Sequence, residues 1–380
     1  MSEIKVNSIK GVGASTAAIT VNNTDGTCTA NITNNLSNRN LIINGAMQVA
    51  QRGTSFADSA SGSYTLDRFL IQNSSGTPAF TITQDTDAPN GFNNALKVAC
   101  TTADASPAAG SFSRIRYSVE AQDLQPLAKG TSSAKAQTLS FYVKTNKTGV
   151  YTVFIFDDDN TRMMSASYTV SDTNWNRYTI SIPADTTGAI NDDNGTGFVI
   201  HWGLSLGSDR TSGSLASTWA AYTQANEHVG NVNFADNTSN VWAITGVQLE
   251  VGSVATDFEH RSFGQELALC QRYFCAYGST VDNIQNGDRL GCGISTGSNT
   301  AIVTIPTGSK LRAFPTVAFS SGITINDAAG GPDVSSVSRS ISYNGHAQIQ
   351  FVTNPSSLTS GNAAHIRFES TSYLHLSAEL

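Results

Sequence analysis

The sequence predicts a mainly β protein, and three features of composition and patterning carry that prediction. Charged residues make up only 13% of the 380 residues, against about 25% in an average globular chain. Serine, threonine, asparagine and 32 glycines take their place, and these residues favour turns and half-buried strands over long helices. Apolar and polar residues alternate in many short runs, as in the series Tyr151, Val153, Ile155. Short strands with frequent turns are typical of β-sandwiches.

The pattern divides the chain into three parts joined by one helix. Residues 1–38 hold short strand-like pieces between polar turns, with too little apolar sequence for a core of their own. We therefore expect an extended arm that orders by pairing with its own copies or with another protein. Residues 39–260 are long enough for one large β-sandwich, and residues 278–380 for a smaller one. In the latter, Asn344-Gly345 between two alternating runs predicts a β-hairpin.

A helix is predicted over residues 261–277. Ser262 and Gln265 have the spacing of a capping box, which marks a helix start. The apolar positions after it are four and three residues apart: Phe263, Leu267, Cys270, Phe274 and Tyr277. Two interpretations stay open, because fewer than three heptads do not separate them. The stripe packs on the neighbouring sandwich, or it forms a short parallel bundle on the axis of a homotrimer.

Charge and hydropathy exclude several function classes. The net charge of −7 and the lack of a basic cluster argue against nucleic acid and anionic membranes as partners. No run approaches the roughly 18 apolar residues that membrane insertion needs, and the first residues lack the apolar core of an export signal. The five cysteines form no Cys-x-x-Cys pair, so we expect reduced thiols and folding in a cytoplasm. No cofactor is expected.

Acidic side chains cluster at two places, around Asp157 and Asp159 and around Asp192 and Asp193. Aspartate and asparagine close turns with their own side chains, which accounts for both clusters, while oxygen-rich loops can also hold Ca²⁺. A polysaccharide depolymerase would need two such carboxylates about 5–10 Å apart. The stretch 293–297 fits the Gly-x-Ser-x-Gly pattern, but a strand-like run comes after it instead of the helix that the motif requires. We therefore predict a protein that is not an enzyme.

Three aromatic residues are candidates for contact with sugar. Trp202, Trp219 and Tyr222 border stretches rich in glycine, serine and asparagine. An exposed aromatic face stacks on a sugar ring, and nearby amides and carboxylates bond to its hydroxyls. The alternative is that these rings belong to the core or to an interface.

Several segments, taken together and in order, resemble proteins of phage tail fibres and related virion appendages, notably of marine phages. Residues 40–53 (NLIINGAMQVAQRG) and 64–69 (YTLDRF) resemble the start of a carbohydrate-binding-like jelly roll, and 244–252 (ITGVQLEVG) its close. The segment 258–274 (FEHRSFGQELALCQRYF) resembles the stretch that comes after that domain in such fibres. The opening SEIKVNSIK and the closing LSAEL are weaker matches.

The resemblance implies a structural protein of the virion, usually a homotrimer. Its residues 1–38 would attach to phage tail or capsid proteins, and its β domains would bind a glycan or another receptor on the host surface. By position alone, residues 278–380 are the expected receptor-binding tip. A capsid fibre or decoration protein is the alternative to a tail fibre, and a depolymerase is the less favoured one. No catalytic residue follows from the resemblance.

Overall fold

The computed structural model describes most of the chain and bears out the mainly β prediction. The described residues are 6–10, 12, 19–21, 28–30, 38–57, 62–74, 78–278, 287–327, 331–369 and 372–380. In this part of the chain, no helix has the length and hydropathy needed to cross a bilayer.

Three short strands are described in the N-terminal segment: β1 (Ser8–Ile9), β2 (Ile19–Val21) and β3 (Cys28–Ala30). They pair as antiparallel neighbours in the order β1-β2-β3. Most of residues 1–38 lies outside the described residues, so the attachment arm remains a prediction.

Between residues 55 and 251 the chain forms the strands of a large sandwich. In chain order they are β4 (Ser55–Phe56), β5 (Ser63–Tyr64), β6 (Phe69–Asn73), β7 (Ala79–Asp85), β8 (Ala95–Thr102), β9 (Phe112–Glu120), β10 (Gln137–Thr145), β11 (Gly149–Asp157), β12 (Arg162–Val170), β13 (Asn176–Ile182), β14 (Thr196–Leu206), β15 (Ala220–Ala221) and β16 (Val241–Val251). Short 3₁₀ turns lie at Ala121–Leu127, Ser208–Arg210, Gln224–Asn226 and Phe234–Asp236.

These strands make two antiparallel sheets. The front sheet has the order β15-β12-β11-β14-β9-β6-β5, and the back sheet has the order β13-β10-β16-β8-β7-β4. One face of each sheet contributes to a shared core, as period-2 alternation requires. Tyr151, Val153 and Ile155 of β11 all point into this core, as their spacing predicts.

A bulge in β16 changes which residues face the core. Strict alternation along this strand would place Trp242 and Val247 on opposite faces, yet both are fully buried in the same core. The pairing with β10 shifts between Thr245 and Gln248, and Gly246 has a φ of +62°. A side chain at Gly246 would lie 2.8 Å from the Tyr142 ring. The extra residue of the bulge shifts the alternation by one position, so that Val247, like Trp242, points into the core.

Asn44 and Gly45 form a turn, as an Asn-Gly pair predicts. The amide of Met47 donates to the carbonyl of Asn44 at 2.9 Å, and the amide of Val247 donates to the carbonyl of Gly45 at 2.9 Å. A Cβ at Gly45 would stand only 2.1 Å from the carbonyl oxygen of Val247. Glycine is therefore required by the close approach of the two backbones.

A helix is present within the predicted range, but it is shorter than predicted. Helix α1 spans Phe263–Gln271 and begins with the expected capping box between Ser262 and Gln265. It ends at Gln271 because the next residues form a strand, β17 (Phe274–Gly278), which pairs with the C-terminal strand. Local periodicity could not reveal this, since the partner strand lies about a hundred residues away.

The predicted stripe is therefore not one helix face. Phe274 and Tyr277 lie on β17, and Phe274 and Cys270 are buried within the molecule. Leu267 packs beside Cys270 and Tyr273, whereas Phe263 is 57% exposed. Most of the stripe is thus occupied by contacts within one chain. The trimer-axis interpretation is therefore wrong for the buried Cys270 and Phe274, and for the exposed Phe263 it stays a prediction.

The C-terminal strands after β17 are β18 (Arg289–Ser295), β19 (Thr300–Pro306), β20 (Thr316–Phe319), β21 (Ile323–Asn326), β22 (Asp333–Tyr343), β23 (His346–Asn354), β24 (Ala363–Phe368) and β25 (Tyr373–Ser377). In the described part, β18-β19-β23-β22-β21-β24 close into a barrel, and β17-β25-β20 form a sheet beside it. Both share one apolar core. The predicted hairpin at Asn344-Gly345 joins β22 and β23.

A buried ionic junction ties the sandwich to the barrel. Glu379 forms ion pairs with Arg68 and with Arg52, the latter at 2.9 Å. The Arg68 guanidinium lies 3.4 Å from the centroid of the Tyr273 ring. Although burial alone would lower it, the pKa of Arg68 is raised, chiefly by the charge of Glu379. Glu379 thus pairs with a cation of the sandwich that would otherwise be buried without a counter-ion.

Candidate functional site

Trp202 is not a surface residue. It is fully buried, and its ring meets Phe141 in a T-shaped contact with 5.9 Å between centroids. It follows Phe198 and Ile200 with period 2 on β14, so its side chain faces the core. The glycan-binding prediction for Trp202 is therefore wrong, because neither ring face is open to a ligand.

Trp219 lies half-buried at the edge of the sandwich. Its indole nitrogen donates to the carbonyl of Pro183 at 3.0 Å. The ring packs against Phe198 at 5.3 Å, and the Lys129 ammonium lies 5.2 Å from its centroid. These contacts show that Trp219 supports the edge of the sandwich; the prediction that it binds glycan stays a prediction, on a ring less exposed than that of Tyr222.

Tyr222 is the one predicted aromatic whose ring is accessible. It is 37% exposed and lies over the outer face of the front sheet, in edge contact with Phe156 at 5.4 Å. Its hydroxyl donates to Oε1 of Glu227 at 2.7 Å. Burial and the Glu227 carboxylate raise the pKa of Tyr222 to about 12, so the hydroxyl stays protonated and the ring orientation is held.

Tyr222 belongs to a cover segment, residues 207–232, that crosses the outer face of the front sheet. The amide of Ser165 on β12 donates to the carbonyl of Ala216 at 2.8 Å. The amide of Thr152 on β11 donates to Oδ1 of Asn231 at 2.9 Å. These bonds attach the cover segment to two strands of the front sheet. The surface around Tyr222 lies along the part of that sheet which the segment crosses.

Beneath Tyr222, the carboxylate of Glu227 joins two arginines. Its Oε2 accepts from Nη1 of Arg114 at 2.9 Å and from Nη1 of Arg210 at 2.6 Å. Nε of Arg114 donates to Oε1 of Gln72 at 3.0 Å. Burial lowers the pKa of Arg114 to about 10 even with Glu227 beside it. Sequence patterns did not indicate this cluster, because its members come from β6, β9 and the cover segment.

Two buried histidines complete the face. The ring of His201 stacks on Phe154 with 5.2 Å between centroids and 9° between planes, and Nδ1 of His228 lies 2.8 Å from Oγ1 of Thr152. Burial, followed by the charge of Arg114, holds the pKa of both histidines well below the usual 6.5. Both rings are therefore neutral at pH 7. Nδ1 of His201 is buried without a partner among the described residues.

Three of the four candidate acidic side chains are engaged by the protein itself. Asp157 is fully buried, with Oδ2 2.5 Å from the Lys129 ammonium. Asp159 accepts from the side-chain amide of Asn191 at 2.6 Å. Oδ1 of Asp193 accepts from the amide of Gly195 at 2.8 Å, whereas Asp192 is exposed. Among the described residues, no group of three or more His, Cys, Asp or Glu side chains is arranged to hold a metal ion.

The back sheet carries a concavity of about 430 Å³ on its outer face. Lys97 and Lys144 line it, and Asp87 pairs with Lys144 at 2.7 Å and accepts from the indole nitrogen of Trp175 at 3.1 Å. Trp175 is half-buried beside this rim. This surface is the alternative location for a ligand.

No model of a protein family matches the sequence, and no curated protein is similar enough to count as a relative. Solved structures do match. A putative sugar-binding protein from Bacteroides thetaiotaomicron is 14% identical over 56% of this chain and 100% of its own, with a TM-score of 0.32. A family 11 carbohydrate-binding module from Clostridium thermocellum, in complex with a mixed-linked tetrasaccharide, is 12% identical over 55% and 98%, with a TM-score of 0.26.

A tandem of two family 22 carbohydrate-binding modules from Paenibacillus barcinonensis Xyn10C covers 90% of this chain and 98% of its own, at 9% identity and a TM-score of 0.28. These structural neighbours are described as sugar-binding or carbohydrate-binding proteins, and none of the three is described as a phage protein. Identities and TM-scores at this level carry no argument about the ligand of this chain.

Proposed function

We propose that the chain is a non-enzymatic glycan-binding protein and that it binds sugar at the surface around Tyr222. One observation carries the proposal. A partly exposed tyrosine is held in place by the hydrogen bond from its hydroxyl to the buried Glu227 carboxylate. A fixed aromatic ring loses little conformational entropy when it stacks on a sugar. The polar groups of the same face then supply hydrogen bonds to sugar hydroxyls.

A binding screen with matched variants tests this proposal. The full chain is screened on a glycan array, and the best ligand is then titrated by calorimetry against Tyr222→Ala and Tyr373→Ala. Tyr373 is the control because it is 36% exposed and lies on β25, in the sheet beside the barrel. We expect Tyr222→Ala to weaken binding about tenfold or more, as loss of a central aromatic contact does, and Tyr373→Ala to leave binding unchanged.

Three results would contradict the location of the site, the class of function or the proposal as a whole. If Trp175→Ala abolishes binding while Tyr222→Ala does not, the ligand binds at the back-sheet concavity. If the chain releases reducing ends from the bound polysaccharide, and Asp159→Asn or Asp193→Asn stops the release, the protein is a depolymerase. If no glycan binds, the proposal fails.

We further propose that the protein is a component of a phage particle, a tail fibre or a capsid fibre or decoration, located on the virion. The support is the resemblance of segments 40–53, 64–69 and 258–274. Residues of these segments lie together at the ionic junction, where Gln51 donates to the carbonyl of Phe274 at 2.9 Å. Immunogold labelling of particles that encode this chain tests the proposal, since label on the tail, on the capsid or on neither gives three distinct answers.

The homotrimer and the N-terminal attachment are proposals of the same kind. Light scattering after size exclusion should give about 120 kDa, three times the 40.0 kDa of one chain; a mass of 40 kDa would contradict a trimer in solution. Deletion of residues 1–38 should leave a folded protein that no longer joins particles. Incorporation of the deletion variant at normal levels would contradict a docking role for the arm.

A further inference from the structure

A row of side chains crosses the front sheet beneath Tyr222, as the strand register shows. Arg116 on β9 stands opposite Leu70 on β6 and opposite His201 on β14. His201 in turn stands opposite Phe154 on β11, and the Tyr222 ring lies 6.3 Å from the ring of Phe154. Arg116 is thus part of the same surface as the exposed tyrosine.

Arg116 differs from its neighbours in having no partner. Arg114 binds Glu227 and Gln72, and Arg162 pairs with Asp185 at 2.8 Å. Of the residues that the structure describes, none accepts a hydrogen bond from Arg116 or pairs with it within 4 Å. Its Nε is buried and unsatisfied, although the residue as a whole is only half-buried. The other guanidinium nitrogens of Arg116 are not among the buried atoms, so they are the donors left for a bound acceptor.

The charge around Arg116 is positive although the whole chain carries −7. Arg114 and Arg210 share the single carboxylate of Glu227. His201 is neutral at pH 7, because burial and the arginines hold its pKa well below 6.5. The exposed Asp158 is an acid on which the charge of Arg116 acts. Counted with Glu227 against Arg114, Arg116 and Arg210, it leaves one net positive charge (3 − 2 = +1).

We propose that the Tyr222 surface selects acidic glycans, with Arg116 as the residue that binds a carboxylate or sulfate group of the sugar. This inference rests on the proposed glycan-binding function and names its ligand class. A guanidinium forms strong, often paired hydrogen bonds with such anions. Tyr222 would stack on a ring of the chain while Arg116 contacts the acidic substituent of the same or a neighbouring ring.

Affinity electrophoresis separates this inference from the proposed function itself. The full chain is run through gels that contain polygalacturonate, the same polymer after carboxyl reduction, or a sulfated galactan. The variants are Arg116→Gln, which removes the charge, Arg116→Lys, which keeps it, and Arg289→Gln as a control on an exposed arginine of the barrel. Their melting temperatures are measured alongside to exclude misfolding.

We expect an acidic polymer to retard the wild type and Arg289→Gln but not to retard Arg116→Gln, with an affinity loss on the order of tenfold or more. Arg116→Lys should keep part of the affinity. Stronger retardation in the polygalacturonate gel would indicate that the protein binds a carboxylate, and stronger retardation in the sulfated galactan gel would indicate a sulfate. Equal retardation by the reduced polymer, unaffected by Arg116→Gln, would overturn the acidic-glycan inference and leave the proposed function intact. Absence of binding in these gels and on the glycan array would overturn both.

Discussion

At the scale of single residues, Glu227 holds together the surface around Tyr222. Its carboxylate accepts from the hydroxyl of Tyr222 and from two guanidiniums. The side chains of Arg114 and Arg210 are only 10% and 13% exposed. Removing one member of a buried ion pair costs far more than the pair contributes, because the remaining charge is left desolvated.

Glu227→Ala should therefore lower the free energy of unfolding by about 3–5 kcal/mol, measured by urea denaturation. The control is Lys144→Ala, because the Lys144–Asp87 pair is exposed, at 37% and 57%. An exposed pair contributes less than about 1 kcal/mol. A Glu227→Ala variant no less stable than Lys144→Ala would show that the arginines find other partners.

The neutral histidines of the front sheet predict a pH dependence of stability. The folded pKa of His201 and of His228 lies well below 6.5. As the pH falls below 6.5, the unfolded chain binds protons that the folded protein does not, so stability decreases. Each histidine should contribute a slope approaching about 1.4 kcal/mol per pH unit. Urea denaturation between pH 7.5 and 5.0 measures it.

A variant isolates this contribution from other titrating groups. His228→Asn should lower the slope of unfolding free energy against pH by about one proton, relative to the wild type, below pH 6. Identical slopes in the two proteins would mean that His228 binds a proton in the folded state.

At the scale of elements, α1 depends on its cap. The helix is nine residues long, and its buried residues are Glu266 and Cys270. The amide of Gln265 donates to Oγ of Ser262 at 3.4 Å, while Ser262 donates from its own amide to Gln265 at 3.1 Å. A helix this short gains little from propagation, so its start is set by the capping box and by packing.

Ser262→Ala should cost about 0.5–1 kcal/mol in the free energy of unfolding, the lower part of the range for N-caps, because the capping bond is long. Ser262→Thr keeps a cap oxygen and serves as the control. Chemical denaturation of the two variants side by side gives the comparison. Equal stabilities would show that packing alone sets where α1 begins.

At the scale of the whole molecule, the sandwich and the barrel are joined through charge as well as apolar contact. Besides Glu379 with Arg68 and Arg52, Arg272 forms two 2.8 Å bonds with the buried carboxylate of Glu120. Because Arg68 is fully buried, removal of its anion leaves a desolvated charge at the junction and destabilises the protein.

Glu379→Gln should lower the free energy of unfolding by about 3–5 kcal/mol and change the single calorimetric transition expected for the wild type into two, one for each half. Glu369→Gln, on an exposed glutamate of the barrel, should leave the trace unchanged. One transition at the wild-type midpoint in Glu379→Gln would show that apolar packing alone couples the two halves.

The sequence by itself determined the mainly β class, the turn at Asn44-Gly45, the hairpin at Asn344-Gly345 and the start of α1. Each of these depends on neighbours within about ten residues, through alternation, turn chemistry or capping. It also marked Tyr222 as a candidate, because the polar stretch around that residue indicates exposure.

Only the tertiary structure decided the end of α1 and the burial of Trp202. It also decided the bulge at Gly246, which changes which side chains of β16 face the core. The pairing of β17 with a distant strand ended the helix, and the inward phase of β14 buried the tryptophan. The polar cluster of Arg114, Arg116, His201 and Glu227 was invisible in the sequence for the same physical reason. Its members lie on separate strands and on the cover segment, and only the sheet register brings them to one face.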